Sequence, residues 1–171
     1  TTGGHVAYES VETSTGLSRA SDIGNAVQIT WNGQGTGRLV RGYVLTNGEQ
    51  AITATGNTTG VNVGAAASTD TMVVTVRVLA VSGSGSATFQ VHGSSDNGGG
   101  DAYAQVTGWT LSEKDPGTNV NIGTADQATF TGVGCAKFTR TGATEAWLRI
   151  NVSAFSGFTS VTVLVTAGEQ G

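Results

Sequence analysis

The chain has 171 residues, 27 of them glycine and one proline, with 12% charged residues and a net charge of −4. That length allows one domain with one core. The negative balance, with Lys114 and Lys137 the only lysines, argues against the basic-charge attraction that drives non-specific nucleic-acid binding.

The first segment, 1–24, is polar and without sustained periodicity, and is predicted to be an extended N-terminal arm with one short strand around His5 to Tyr8. From residue 25 to 171 strand follows strand. AVQITW (26–31) alternates and runs into Asn32-Gly33, a hairpin signal; RLVRGYVL (38–45) runs into Asn47-Gly48, a second one. QAITA (50–54) and VNV (61–63) are shorter. TMVVTVRVLAV (71–81) places Val74, Val76 and Val78 on one face and Thr75 and Arg77 on the other, and ATFQVH (87–92) sets Phe89 and Val91 together.

AYAQVTGWTL (102–111), QATFTG (127–132), CAKFTRT (135–141), EAWLRINVS (145–153) and FTSVTVLVTA (158–167) complete the series. About ten short strands at regular spacing, rich in Val and Thr, predict an all-β, single-domain antiparallel β-sandwich, jelly-roll or immunoglobulin-like. No segment carries a capped apolar stripe of helical period. A faint echo of VNVG (61–64) in VNIG (120–123) raises a duplication, which four residues of common type do not establish. No apolar run approaches the roughly 20 residues of a membrane span, and no membrane partner or signal peptide is expected. Thr1 fits either removal of an initiator Met or cleavage of a longer leader.

Chemistry is sought first in SSDNGGGD (94–101). Counted from Asp96, a calcium loop of the EF-hand type would need an oxygen ligand where Gly98 stands and a Glu where Thr107 stands. A phosphate loop would need a Lys and a following helix. The stretch therefore reads as a Gly-rich hairpin tip. His92 reads as a polar strand-end residue and Cys135 as a small buried hydrophobe, since no nucleophile signature surrounds it. One cysteine leaves no internal disulfide, the scattered acids single out no glycosidase pair, and two histidines with one cysteine make no zinc set. No catalytic, cofactor-binding or metal residue is expected, and a hydrolase would have to rest on His92 or a carboxylate.

What stands out faces outward. On 145–153, Trp147 and Arg149 lie opposite Leu148 and Ile150, and aromatic and Arg side chains are favoured at interface hot spots. With Tyr8 of the arm and Arg38, these are the candidate partner contacts.

TEAWLRINVSAFSGFTSVTVLVTAG (144–168) resembles the C-terminal end of small structural proteins of tailed-bacteriophage virions, in which a W-hydrophobic-R strand precedes a Gly-containing turn and a final Val/Thr strand. GSATFQVHGSSDNGG (85–99) is similar to them as well, so the resemblance spans roughly 71 to 168. It implies a capsid decoration (cement) protein, or a head-fibre or tail component, whose partners are the major capsid protein and neighbouring copies of itself at the capsid surface. It implies packing or assembly roles for Trp147, Arg149, Phe155, Phe158 and the 161–166 strand, and no enzymatic residues. The rival expectation is a carbohydrate- or receptor-binding module of a surface fibre, with Trp31, Trp109, Trp147 and the tyrosines as a sugar-stacking platform.

Overall fold

The structure, a computed structural model, describes the backbone of residues 6–9, 12–20, 28–35, 40–113, 119–122 and 126–170, and side chains within 42–112, 119–122 and 126–169. The described chain is all-β and antiparallel, with no helix. Its strands are β1 (Val6–Glu9), β2 (Glu12–Ala20), β3 (Gln28–Gly35), β4 (Val40–Val44), β5 (Gln50–Ile52), β6 (Gly56–Asn57) and β7 (Val61–Asn62). There follow β8 (Thr71–Ser94), β9 (Ala104–Gln105), β10 (Thr110–Glu113), β11 (Val120–Ile122), β12 (Gln127–Phe130), β13 (Gly134–Thr141) and β14 (Trp147–Gln170). Twelve of them make one sheet, six along the path β1-β4-β14-β8-β12-β11 and the other six paired off it, with β5, β6 and β7 on β14, β9 and β13 on β8, and β10 on β13; β2 and β3 pair with each other.

The sheet is organised by two strands of 24 residues, β8 and β14, paired along their whole length. A straight strand of that length would reach about 80 Å, whereas a domain of this size has a radius of gyration near 16 Å. Both strands must therefore bend. They do so together, where the register between them shifts repeatedly from Val152 to Val163. Gly83 (φ 87°) and Gly157 (φ 75°) take the left-handed backbone there. A Cβ on Gly85 would collide with the Ser156 carbonyl oxygen, and one on Gly157 with that of Ser84. Small residues are required because the two backbones press against each other.

The bend divides the sheet into two halves with a common interior. In one, Val74, Val76 and Val78 of β8 lie beside Ala136 and Phe138 of β13 and Val161, Val163 and Val165 of β14. In the other, Phe89 and Val91 of β8 lie beside Ala128 and Phe130 of β12 and Leu148, Ile150 and Val152 of β14. All belong to one hydrophobic cluster, with Phe89 and Phe130 packed edge to face at 5.5 Å. This is the sandwich-like core that the alternating Val and Phe positions predict.

Several expectations need correction. The segments 71–81 and 87–92 are one strand, and so, from Trp147 on, are 145–153 and 158–167; the stretches between them are corners inside β8 and β14, not turns between strands. The expected strand 102–111 breaks into β9 and β10, because Gly108 takes φ 83° and the Trp109 amide donates to Asp126 Oδ1 (2.7 Å) instead of to a ladder. Asn32-Gly33 lies within β3, not in a turn. Thr75, on the face opposite Val74 and Val76, is also buried at 3% exposed, so both faces of β8 are covered at that point. VNV and VNI pair with different strands, β14 and β12, which gives no support to a duplication.

The first segment is more structured than its composition suggests. β1 adds to β4 with Glu9 opposite Val40 and Val6 opposite Tyr43, so it belongs to the large sheet. β2 and β3 then pair from Glu12–Gly35 to Ala20–Gln28. The same two passages of chain thus pair first within the large sheet and then as a separate two-stranded ribbon.

Candidate functional site

The loop 94–101 is held by its own side chains. The Asp96 carboxylate accepts the amides of Gly99 (3.0 Å), Gly100 and Asp101 (3.1 Å), and Asp101 accepts the Ser95 amide at 2.7 Å. The Ser94 hydroxyl donates to the Asp101 carbonyl (2.7 Å) and accepts from Gly98 N (2.8 Å). The backbone amides of Gly100 and Asp101 hold the Asp96 carboxyl below its ordinary range. Both carboxylates are used in shaping the loop, and among the described residues no group of three or more metal-ligating side chains occurs. The tip is a self-capped turn, in line with its sequence.

The outer face of the half containing Phe89 and Ile150 is different. Because side chains alternate, burial of Phe89, Val91, Leu148 and Ile150 turns their neighbours outward. Cross-strand register then lines up Gln127, Gln90, Asn151 and Asn57 from β12, β8, β14 and β6. Gln90 Nε2 donates to Gln127 Oε1 (3.0 Å), and Asn151 Nδ2 donates to Asn57 Oδ1 (2.9 Å). One row on, Gln105 of β9, His92 of β8 and Arg149 of β14 stand abreast; on the other side the Thr88 and Thr129 hydroxyls bond at 2.8 Å. The four strands span about 14 Å at ordinary strand spacing, and these positions carry no Asp or Glu.

Arg149 is the one permanent cation among these positions. Its guanidinium carbon lies 4.0 Å from the centroid of the Tyr103 ring, a cation–π stack. Tyr103 is fixed in turn, its hydroxyl donating to Asn97 Oδ1 at 2.8 Å, so the loop 94–101 positions the ring. Arg149 Nε is sealed from solvent without a hydrogen-bond partner, as is His92 Nδ1. Trp147, two residues before Arg149 on the same face, is half-buried and flanked by Asn62 and Ser94. It lies on an interior strand, not at an edge.

Burial, reinforced by the Arg149 charge, lowers the His92 pKa from its ordinary 6.5. Between the folded and unfolded values the unfolded chain holds a proton that the native state lacks. This contribution to stability is complete above about pH 6.5 and is lost as pH falls through the folded value. The urea midpoint should therefore drop more between about pH 7.5 and pH 5 in the native sequence than in His92→Gln, and parallel curves would refute the assignment. Glu169, whose carboxyl is pushed up because its protonated form donates a hydrogen bond to Asp70, has the opposite sign: its contribution is present below about pH 4.5 and fades as pH rises through the folded value. Comparing with the variant separates the two.

A cleft of about 210 Å³ is lined by Gly93, Asp101, Gln105, Arg140, Thr144 and Glu145 among others. Arg140 is committed to the backbone there, donating to the Thr107 carbonyl (2.9 Å) and to that of Ala143. Neither His92 nor Cys135 is among the residues lining the cleft. His92 stands beside Arg149, whereas Cys135 is 2% exposed and opposite Arg77 in the other half.

Of the residues singled out as partner contacts, Trp147 and Arg149 share the polar outer face. Tyr8 lies in β1 opposite Arg41, and Arg38 is outside the described residues. Trp109 cannot join a sugar platform: it is 7% exposed and packed edge to face on Phe138 at 6.1 Å. Tyr103, one of the tyrosines of the expected sugar platform, does stand on this face over Arg149, whereas Gln90, Gln127, Asn57 and Asn151 were not foreseen, since only register brings them together. Comparison with protein-family models, with curated proteins and with solved structures gives no match.

Proposed function

We propose that this chain is a non-enzymatic structural protein of a virion, decorating and stabilising a capsid lattice by multivalent contacts with the major capsid protein and with its own neighbouring copies. The observation that supports this most is the β2–β3 ribbon, which among the described residues pairs with no strand of the large sheet. A lone two-stranded ribbon is marginal in water and presents two unpaired edges. A partner that adds a strand or covers a face would relieve both deficits. Repetition over a lattice would make even weak contacts hold through effective concentration. A body low in charge and rich in hydroxyl side chains suits that role, because hydroxyls hydrogen-bond without the desolvation cost of ions.

The test uses the pairing of Glu9 with Val40. Deleting 12–35 leaves the chain to turn between β1 and β4 and keeps the large sheet. The deletion variant is expected to stay folded and monomeric in sedimentation, while the full chain self-associates and is found in many copies on symmetric particles of its source. A full chain that sediments as a monomer and is absent from such particles would sink the reading.

A further inference from the structure

We propose that the polar outer face around Trp147 and Arg149 binds a carboxylate-bearing oligosaccharide, the carboxylate meeting Arg149, a sugar ring lying on Trp147 and hydroxyls bonding to the amide row. The proposal stands apart from the assembly reading, which rests on the ribbon.

Charge argues for an anion. The Arg149 side chain makes no hydrogen bond to a described residue and meets only the Tyr103 ring, and the neighbouring register positions on β8, β9, β12 and β6 are Gln90, His92, Gln105, Gln127 and Asn57. A half-buried cation without a counter-ion is unfavourable, and a planar carboxylate is the partner that a guanidinium takes by two parallel bonds. Only Nε is sealed, so the terminal nitrogens are left to do so. Stacking on Tyr103, itself tied to the 94–101 loop, restrains the guanidinium before any ligand arrives.

The rest of the face argues for a sugar. A protein interface has an apolar centre, and here the single large apolar side chain among the outward positions of β14 from 147 to 153 is Trp147. An indole offers a ring face to the C–H side of a pyranose. The amide row has satisfied one side of itself and not the other. With Gln90 donating to Gln127 and Asn151 to Asn57, the N–H groups of Gln127 and Asn57 and the carbonyl of Asn151 remain for alternating donor and acceptor hydroxyls. A nucleic acid fits poorly, since one cation on a chain of net charge −4 neutralises few phosphates.

The experiment is calorimetric titration of the full chain with paired probes that differ in the acid group: tetragalacturonate against its fully methyl-esterified form, and sialyllactose against its methyl ester. At least one acid member should bind about tenfold or more tighter than its neutral twin, as loss of a charge-assisted contact predicts. Arg149→Gln should abolish that preference while melting near the parent, and Trp147→Ala should weaken both twins. Asn151→Asp keeps Arg149 and adds a like charge beside the ligand; it should reduce acid binding and spare neutral binding. Silence with both acids, equal binding of the twins, or an unchanged acid preference in Arg149→Gln and Asn151→Asp would each overturn the proposal.

Discussion

Gly157→Val should destabilise the protein by about 3 kcal/mol or more, combining roughly 1–2 kcal/mol for forcing an L side chain into the left-handed region with 1–3 kcal/mol of overpacking. For a chain of this length that corresponds to a melting point roughly 10 °C lower. The reason lies in the shared corner of β8 and β14, where Gly157 takes φ 75° and a Cβ would run into the Ser84 carbonyl. Two controls separate the terms. Gly48 takes φ 66° but has open space around it, so Gly48→Ala should cost only the backbone term, about 1 kcal/mol. Gly85→Ala carries the collision with the Ser156 carbonyl and no positive φ penalty. Equal effects for Gly157→Val and Gly48→Ala in urea unfolding would mean that the two strands do not press together at the bend.

That corner also marks where the sequence stops being legible. Alternation placed Phe89, Val91, Leu148, Ile150 and Val161–Val165 correctly, because burial on one face of a strand leaves a period of two that can be read residue by residue. Ser82–Ser86, built of Gly and Ser, separates the two expected strands 71–81 and 87–92, since such residues break periodic segments locally. Only the opposing run Ser156–Ser160, distant in sequence and bringing Gly157 against Ser84 and Gly85, makes it a bend inside a paired ribbon. Asn32-Gly33 misleads in the same way: a strong turn signal lies within the paired strand β3.

The site was legible to the extent that it lies on one strand. Trp147 and Arg149 stand out because they are two apart and opposite Leu148 and Ile150. Asn57 and Asn151 are 94 residues apart, and Gln90 and Gln127 are 37 apart; nothing in either local stretch announces the other. Tyr103 over Arg149 depends on the path of the 94–101 loop, whose compact form follows from Asp96 capping its amides. Spacing within a strand reveals which residues face outward, but the neighbours across the sheet are set by register.

The two tryptophans with described side chains divide the same way, and they give the other large effect. Trp109→Ala should cost about 3–5 kcal/mol, the range for removing a large buried aromatic. It would vacate space against Phe138, and the Asp126 carboxylate that holds the Trp109 amide would lose the packing around that bond. Trp109→Phe should cost roughly 1 kcal/mol, because it preserves the edge-to-face contact and removes the Nε1–H donor, which is sealed from solvent without a partner. Trp147→Ala, on a half-exposed position, should change stability far less and sugar binding far more. If Trp109 were instead part of a binding platform, its alanine variant would keep the parent's urea midpoint and lose ligand. The opposite pattern, one tryptophan governing the melting curve and the other the titration, is what a core on one side of the sheet and a polar face on the other require.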